Sequence, residues 1–170
     1  KEAAIDAIHK NITHYPPVAG YADLKKAIVA KFKNENNLEY SPEQIIVSNG
    51  AKQSITNTIL SLVNPGDEVL IPEPYWVSYP EMVKLAEGKP VYIPSGIDQD
   101  FKVSPEAVRK SMTGKSKVFI FSSPCNPSGT IYSKDELEAL ARVLAEKEDL
   151  YIISDEIYEQ INFEGKHESM

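Results

Sequence analysis

The chain has 170 residues, 42% hydrophobic and 25% charged, the balance of one ordinary globular domain with a single core, which excludes a disordered or fibrous chain. Its formal net charge is −7 with no clustered run of Lys and Arg, so no nucleic-acid partner is expected. A lone cysteine, Cys125, excludes an internal disulfide, and no apolar run approaches a membrane span or follows a basic signal-like start, so a cytoplasmic address is expected.

The chain opens without Met in a helical pattern, KEAAIDAIHK, and stops at Met170 without a closing element; it is expected to be a piece of a longer protein. Leu24, Ala27, Ile28 and Phe32 recur at helix spacing and predict an amphipathic helix over about 21–36. Residues 44–48 (QIIVS) predict a short strand, and Ile55, Ile59 and Leu62 a helix that Pro65-Gly66-Asp67 stops. Residues 68–72 (EVLIP) predict a strand, 76–85 a helix ended by Gly88, and 90–93 another strand. Ser104-Pro105-Glu106 starts a helix with Pro in the first turn, where its missing N–H is not needed. Residues 117–122 (KVFIFS) are strand-like, Ser133 with Glu136 forms a capping box before Leu137, Leu140, Ala141 and Leu144, and 150–154 (LYIIS) predicts the last strand.

Strands that are nearly continuously apolar, alternating with helices, imply an α/β fold: a mostly parallel sheet with helices on both faces. No linker interrupts it, so one incomplete domain over 1–170 is expected. Ligands of such sheets sit beyond the carboxyl ends of the strands, which directs attention to the loops after residues 48, 72, 122 and 154.

Each loop admits two readings. Asn49-Gly50-Ala51-Lys52-Gln53 is either a phosphate-binding helix start or ordinary turn chemistry. Trp76, the only tryptophan, is either a stacking platform for a flat heterocycle or a core residue at a helix start. The loop 123–130 (SPCNPSGT) is stiff and presents Asn126 at its tip, which suits a preorganised site or a plain rigid turn. Asp155 is either a ligand-facing carboxylate, with Tyr158 beside it, or a helix N-cap with Glu156 solvated. His9, His14 and His167 lack metal-ligand spacing and are expected at the surface, so no metal site is predicted. Neither a nucleophile elbow nor a Walker lysine motif occurs.

Five phrases order these pieces: YPPVAGYADLKKAI, SNGAKQSI, NPGDEVLIPEPYWVSYPEM, SSPCNPSGTIYSKDEL and ISDEIYEQINFEG. Together they resemble the class I aminotransferases among the fold-type I pyridoxal-phosphate (PLP) enzymes, most closely the bacterial aspartate aminotransferase group. The resemblance implies PLP as cofactor and the large, PLP-binding domain as fold. It implies that Gly50, Ala51 and Lys52 hold the cofactor phosphate and that Trp76 stacks on the pyridine ring. Asn126 and Tyr158 would bond the phenolic oxygen, Trp76 and Asn126 would help to seat the substrate, and Asp155 would face the pyridine nitrogen. Tyr15 would reach across a homodimer to the neighbouring subunit's phosphate.

The resemblance also implies what this stretch lacks. The lysine that bonds the cofactor, in a Ser-x-x-Lys context, lies beyond Met170 in relatives, as do the substrate-clamping arginine and the small domain. The expected activity of the full-length protein is transamination between aspartate and 2-oxoglutarate, with this piece inactive alone. Other expectations are an aromatic aminotransferase or carbon–sulfur lyase, an aminotransferase-like effector domain of a regulator, and a generic nucleotide-binding α/β domain.

Overall fold

A computed structural model describes residues 1–163 and 165–170; Glu164, part of the last phrase above, lies outside them. The chain divides into two compact units, 1–48 and 49–170. No helix among the described residues is long and apolar enough to cross a membrane.

In the first unit, α1 (Glu2–His9) buries none of its residues, and α2 (Ala22–Lys31) continues as a π-helical turn through Asn36. The expected helix over 21–36 is therefore α for its first ten residues and wider thereafter. Asn37 closes it at φ 57°, a left-handed conformation that Asn tolerates better than most residues. Gly20 is required by space as well as by its φ of +98°: a Cβ there would lie 2.6 Å from a Val47 methyl.

The strand expected over 44–48 is not formed. Pro42–Gln44 make a 3₁₀ turn, with the Ser41 N–H donating to Gln44 Oε1 at 2.9 Å. Ile45 continues in an extended conformation and is buried, while Ile46 is exposed. β-branched residues favour extended backbone, but a strand also needs a ladder, and Val47 N–H instead donates to the Ala19 carbonyl at 3.1 Å.

The second unit is a four-stranded, all-parallel sheet in the order β2-β1-β3-β4: β1 (Glu68–Pro72), β2 (Lys89–Ile93), β3 (Ser116–Ser122) and β4 (Tyr151–Asp155). The central strands β1 and β3 are buried almost throughout, as their unbroken apolar runs require. Alternate side chains divide between two cores. Val69, Ile71, Val118 and Ile120 pack with Ile55 and Ile59 of α3 (Ala51–Leu62) and with Tyr79, Met82 and Val83 of α4 (Ser78–Leu85). Leu70, Phe119 and Phe121 pack with Val108 of α5 (Pro105–Ser111) and with Leu137, Leu140 and Leu144 of α6 (Lys134–Leu144).

Helix starts follow the capping chemistry. Ser104 Oγ accepts from Ala107 N–H at 3.1 Å, and Ser133 and Glu136 exchange side-chain to backbone bonds at 3.4 and 2.7 Å. Helix α4 begins two residues later than the expected Trp76, because Trp76 first makes a tight turn, its carbonyl accepting Tyr79 N–H at 3.0 Å. At the sheet edge, β4 exposes Tyr151 and Ile152.

Candidate active site

Parallel register brings the carboxyl ends of the strands to one rim: Pro72 lies beside Ile93, and Ser122 beside Asp155. Helix α3 precedes β1 and packs against the sheet, so its N-terminus returns to the same rim. Gly50, at φ +91° and with open space around it, is the cap residue there. It supplies no side chain, and no acidic residue lies in the first turn. The start of α3 is thus an uncapped positive dipole end. Lys52, in that first turn, holds its ammonium 5.0 Å from the centroid of the Trp76 ring.

Trp76 is half-buried, and its ring meets Tyr79 edge-on at 5.5 Å and 89°. It packs against the core between the sheet and α3/α4 while remaining partly open at the rim. The core reading therefore describes part of its surface, and the remainder is open.

Tyr79 was not singled out by the sequence. Its ring is 2% exposed, and its hydroxyl donates to Asp155 Oδ2 at 2.6 Å. Burial, reinforced by the neighbouring Asp155 carboxylate, pushes the phenol well above its ordinary range, so it stays a proton donor. The available signal was its place three residues after Trp76, one turn along the same helical face.

Asp155 ends β4 and caps no helix. The residues after it form successive turns, closed by Glu159 N–H to the Glu156 carbonyl at 2.9 Å and Ile161 N–H to the Tyr158 carbonyl at 2.8 Å. The N-cap reading is corrected accordingly: the carboxylate is held by a phenol from α4, with Ile157 N–H nearing Oδ1 at 3.4 Å. Glu156 is not solvated either. Its side chain is 20% exposed and bonded by Ser154, His167 and Ser169, each at 2.7 Å.

His9 and His14 are exposed, but His167 is not, which corrects the surface expectation for that residue. With Glu156 and Glu159 it forms a group whose donor atoms lie within 4.8 Å of one another. The local spacing of histidines gave no hint of this, because the group is assembled by the turns after β4.

The loop after β3 is pinned at both ends. Ser123 N–H donates to the Asp155 carbonyl at 3.3 Å, Cys125 N–H to the Thr130 carbonyl at 2.9 Å, and Tyr132 N–H to Ser123 Oγ at 3.1 Å. Cys125 Sγ lies 3.5 Å from the Pro74 carbonyl, tying this loop to the one after β1. Asn126 is thereby presented to Tyr158, with Nδ2 3.5 Å from the hydroxyl. Both line a cavity of about 480 Å³ shared with Pro124, Ile131 and Phe163.

The second unit therefore gathers Gly50, Ala51, Lys52, Trp76, Asn126, Asp155 and Tyr158 on loops that follow the strand tips or open α3. Tyr15 belongs to the first unit and is fully exposed. A continuous series of contacts runs from the α3 N-terminus to the end of β4: Lys52 to Trp76, Trp76 to Tyr79, Tyr79 to Asp155. The rim thus has a cationic, amide-rich end and an anionic end, with an aromatic surface between.

Comparison with known proteins shows the family of the chain. The family profile described as aminotransferase class I and II matches residues 1–169. The aspartate/prephenate aminotransferase of Nitrosomonas europaea is 51% identical over 165 residues, covering 97% of this chain and 42% of that protein. The aspartate aminotransferase of Bacillus subtilis is 46% identical over 165 residues, with 97% and 42% covered. Among solved structures, Thermus thermophilus aspartate aminotransferase with maleate superposes with a TM-score of 0.94 at 45% identity, covering 99% of this chain and 44% of that one. The aromatic aminotransferase of Pyrococcus horikoshii gives 0.93 at 39% identity, with 99% and 45% covered. The chain spans less than half the length of these relatives.

Proposed function

This chain belongs to the class I and II aminotransferases, and from that premise we propose that it forms the PLP-binding part of an enzyme that transfers amino groups as a full-length protein. The observation that carries this reading is the polarity of the rim: an uncapped helix N-terminus with Lys52 at one end and the Asp155 carboxylate at the other. A phosphorylated pyridine needs that pattern, with donors for the dianion and an acceptor for a protonated ring nitrogen.

In this reading Gly50, Ala51 and Lys52 hold the phosphate, and Trp76 covers one face of the ring. Asn126 and Tyr158 hydrogen-bond the phenolic oxygen, and Trp76 and Asn126 help to seat the substrate. Asp155 accepts from the ring nitrogen. PLP, when bound, supplies an electron sink for the substrate carbon that loses its proton. Asp155 would deepen that sink by keeping positive charge on the ring nitrogen. The residues fix the ring plane, and so decide which substrate bond is activated.

Residues 1–170 then make one partial large domain, with the cofactor-bonding lysine and the small domain elsewhere in the full-length protein. Tyr15 serves the neighbouring subunit's phosphate in a homodimer. The preferred exchange is between aspartate and 2-oxoglutarate, supported by relatives named as aspartate aminotransferases and by one solved with maleate, a four-carbon dicarboxylate. Relatives named aspartate/prephenate aminotransferase support prephenate as a further keto acid. A cytoplasmic location accords with these small-molecule substrates.

The test is to purify the full-length protein with PLP and assay aspartate against 2-oxoglutarate and against prephenate. Glutamate formation from the first pair supports the assignment. Amino transfer to neither acceptor from any common amino acid contradicts it. The isolated 170-residue piece should give no turnover in the same assay.

A further inference from the structure

The bond between Tyr79 and Asp155 joins two residues 76 apart in the sequence, and its donor is sealed from solvent. Tyr79 is 2% exposed, contacts Asp155 Oδ2 at 2.6 Å, and meets the Trp76 ring edge-on at 5.5 Å. We propose that Tyr79 is a positioning residue: its hydroxyl occupies one carboxylate oxygen of Asp155 and so turns the other toward the ring nitrogen of PLP, while its ring sets the tilt of Trp76.

The inference rests on the PLP reading above and adds a residue to it. A carboxylate at a strand end can rotate about two side-chain torsions, and its two oxygens are equivalent until something distinguishes them. Only a donor that cannot itself leave, because it is embedded in the core with Met82 and Val83, makes the distinction permanent. The same residue closes the tight turn that Trp76 opens and meets its ring edge-on, so acid and ring platform are fixed by one side chain. Asp155 therefore does not need the cofactor to become oriented. The site is preorganised, and less ordering accompanies binding.

The experiment is a double-mutant cycle on PLP affinity in the full-length apoprotein, using Tyr79→Phe, Asp155→Ala and the pair, titrated by the absorbance band of the bound cofactor. A hydrogen bond to a charged group supports an expectation of roughly tenfold weaker PLP binding for Tyr79→Phe and a larger loss for Asp155→Ala. The pair should bind like Asp155→Ala alone, since the phenol acts only through the acid. Phe keeps the ring and its packing, so the apoprotein should melt within about 3 °C of the parent. A fluorinated tyrosine at position 79, of the same shape and a stronger donor, should shift the cofactor band in the direction opposite to Phe. Additive losses in the pair, or a cofactor band indifferent to both changes at position 79, would overturn the positioning role. If Asp155→Ala itself leaves PLP binding and band unchanged, the PLP reading fails, and that result is distinct from failure of Tyr79 alone.

Discussion

The Lys52 ammonium lies 5.0 Å from the centroid of the Trp76 ring, joining the first turn of α3 to the loop after β1. The contact gives Trp76, the only tryptophan, a cation on its surface at the rim. A phosphate at the α3 N-terminus competes for that cation. Titrating full-length apoprotein with PLP should quench Trp76 fluorescence, and Lys52→Ala should weaken PLP binding by about tenfold, the worth of one charge-assisted contact. Fluorescence that ignores PLP would remove Trp76 from the site.

Asn126 and Tyr158 meet at 3.5 Å beside a cavity of about 480 Å³. Both can donate to one ligand oxygen placed there. Tyr158→Phe and Asn126→Ala should each move the absorbance band of bound PLP and the pH at which it changes, with little effect on the melting temperature of the apoprotein. A melting point that falls while the spectrum stays fixed would assign the pair to structure instead.

At the opposite end of the sheet, Glu68 is a buried acid with no part in the site. The Thr113 hydroxyl donates to Oε2 at 2.6 Å and Lys89 Nζ reaches Oε1 at 3.2 Å. Chiefly through the Thr113 bond, and despite desolvation, the carboxyl is held below its ordinary 4.5. A depressed acid stabilises the fold above its unfolded pKa, and that contribution is lost as pH falls through the lower, folded value. Thr113→Val should cost about 1–2 kcal/mol near neutral pH and less in acid. Melting curves from about pH 3 to pH 7 check the convergence; a constant difference across that range would contradict it.

Ile59 is 1% exposed and binds α3 to the sheet face carrying Val69, Ile71 and Ile120. Ile59→Ala should cost about 2–5 kcal/mol by cavity formation. Because the proposed phosphate site is the start of α3, PLP affinity should fall with stability, so a given PLP concentration should raise the melting temperature of the variant less than that of the parent and widen the gap between them. Equal losses with and without PLP would separate α3 packing from the site.

Much of this architecture was legible from local chemistry. The segments 68–72 and 117–122, apolar over 69–72 and 118–121, became the two central strands, and the Ser104 and Ser133 caps began helices where expected. What could not be read locally depended on partners distant in sequence. The 44–48 segment has the β-branched composition of a strand, yet pairing requires a neighbour that composition does not supply. Asp155 looked equally like a helix cap because nothing nearby revealed that Tyr79, 76 residues earlier, claims its oxygen. His167 has the local pattern of a surface residue for the same reason: its partner Glu156 is brought to it by turns.

The account stands on Asp155 keeping a proton on the ring nitrogen of PLP. The direct measurement is the ¹⁵N chemical shift of ring-labelled PLP bound to the full-length protein, compared with the Asp155→Ala variant. A protonated nitrogen in the parent across about pH 6–8, and a deprotonated one in the variant, is the predicted result. An unprotonated nitrogen in the parent, or the same shift in both proteins, would contradict the assignment of this rim.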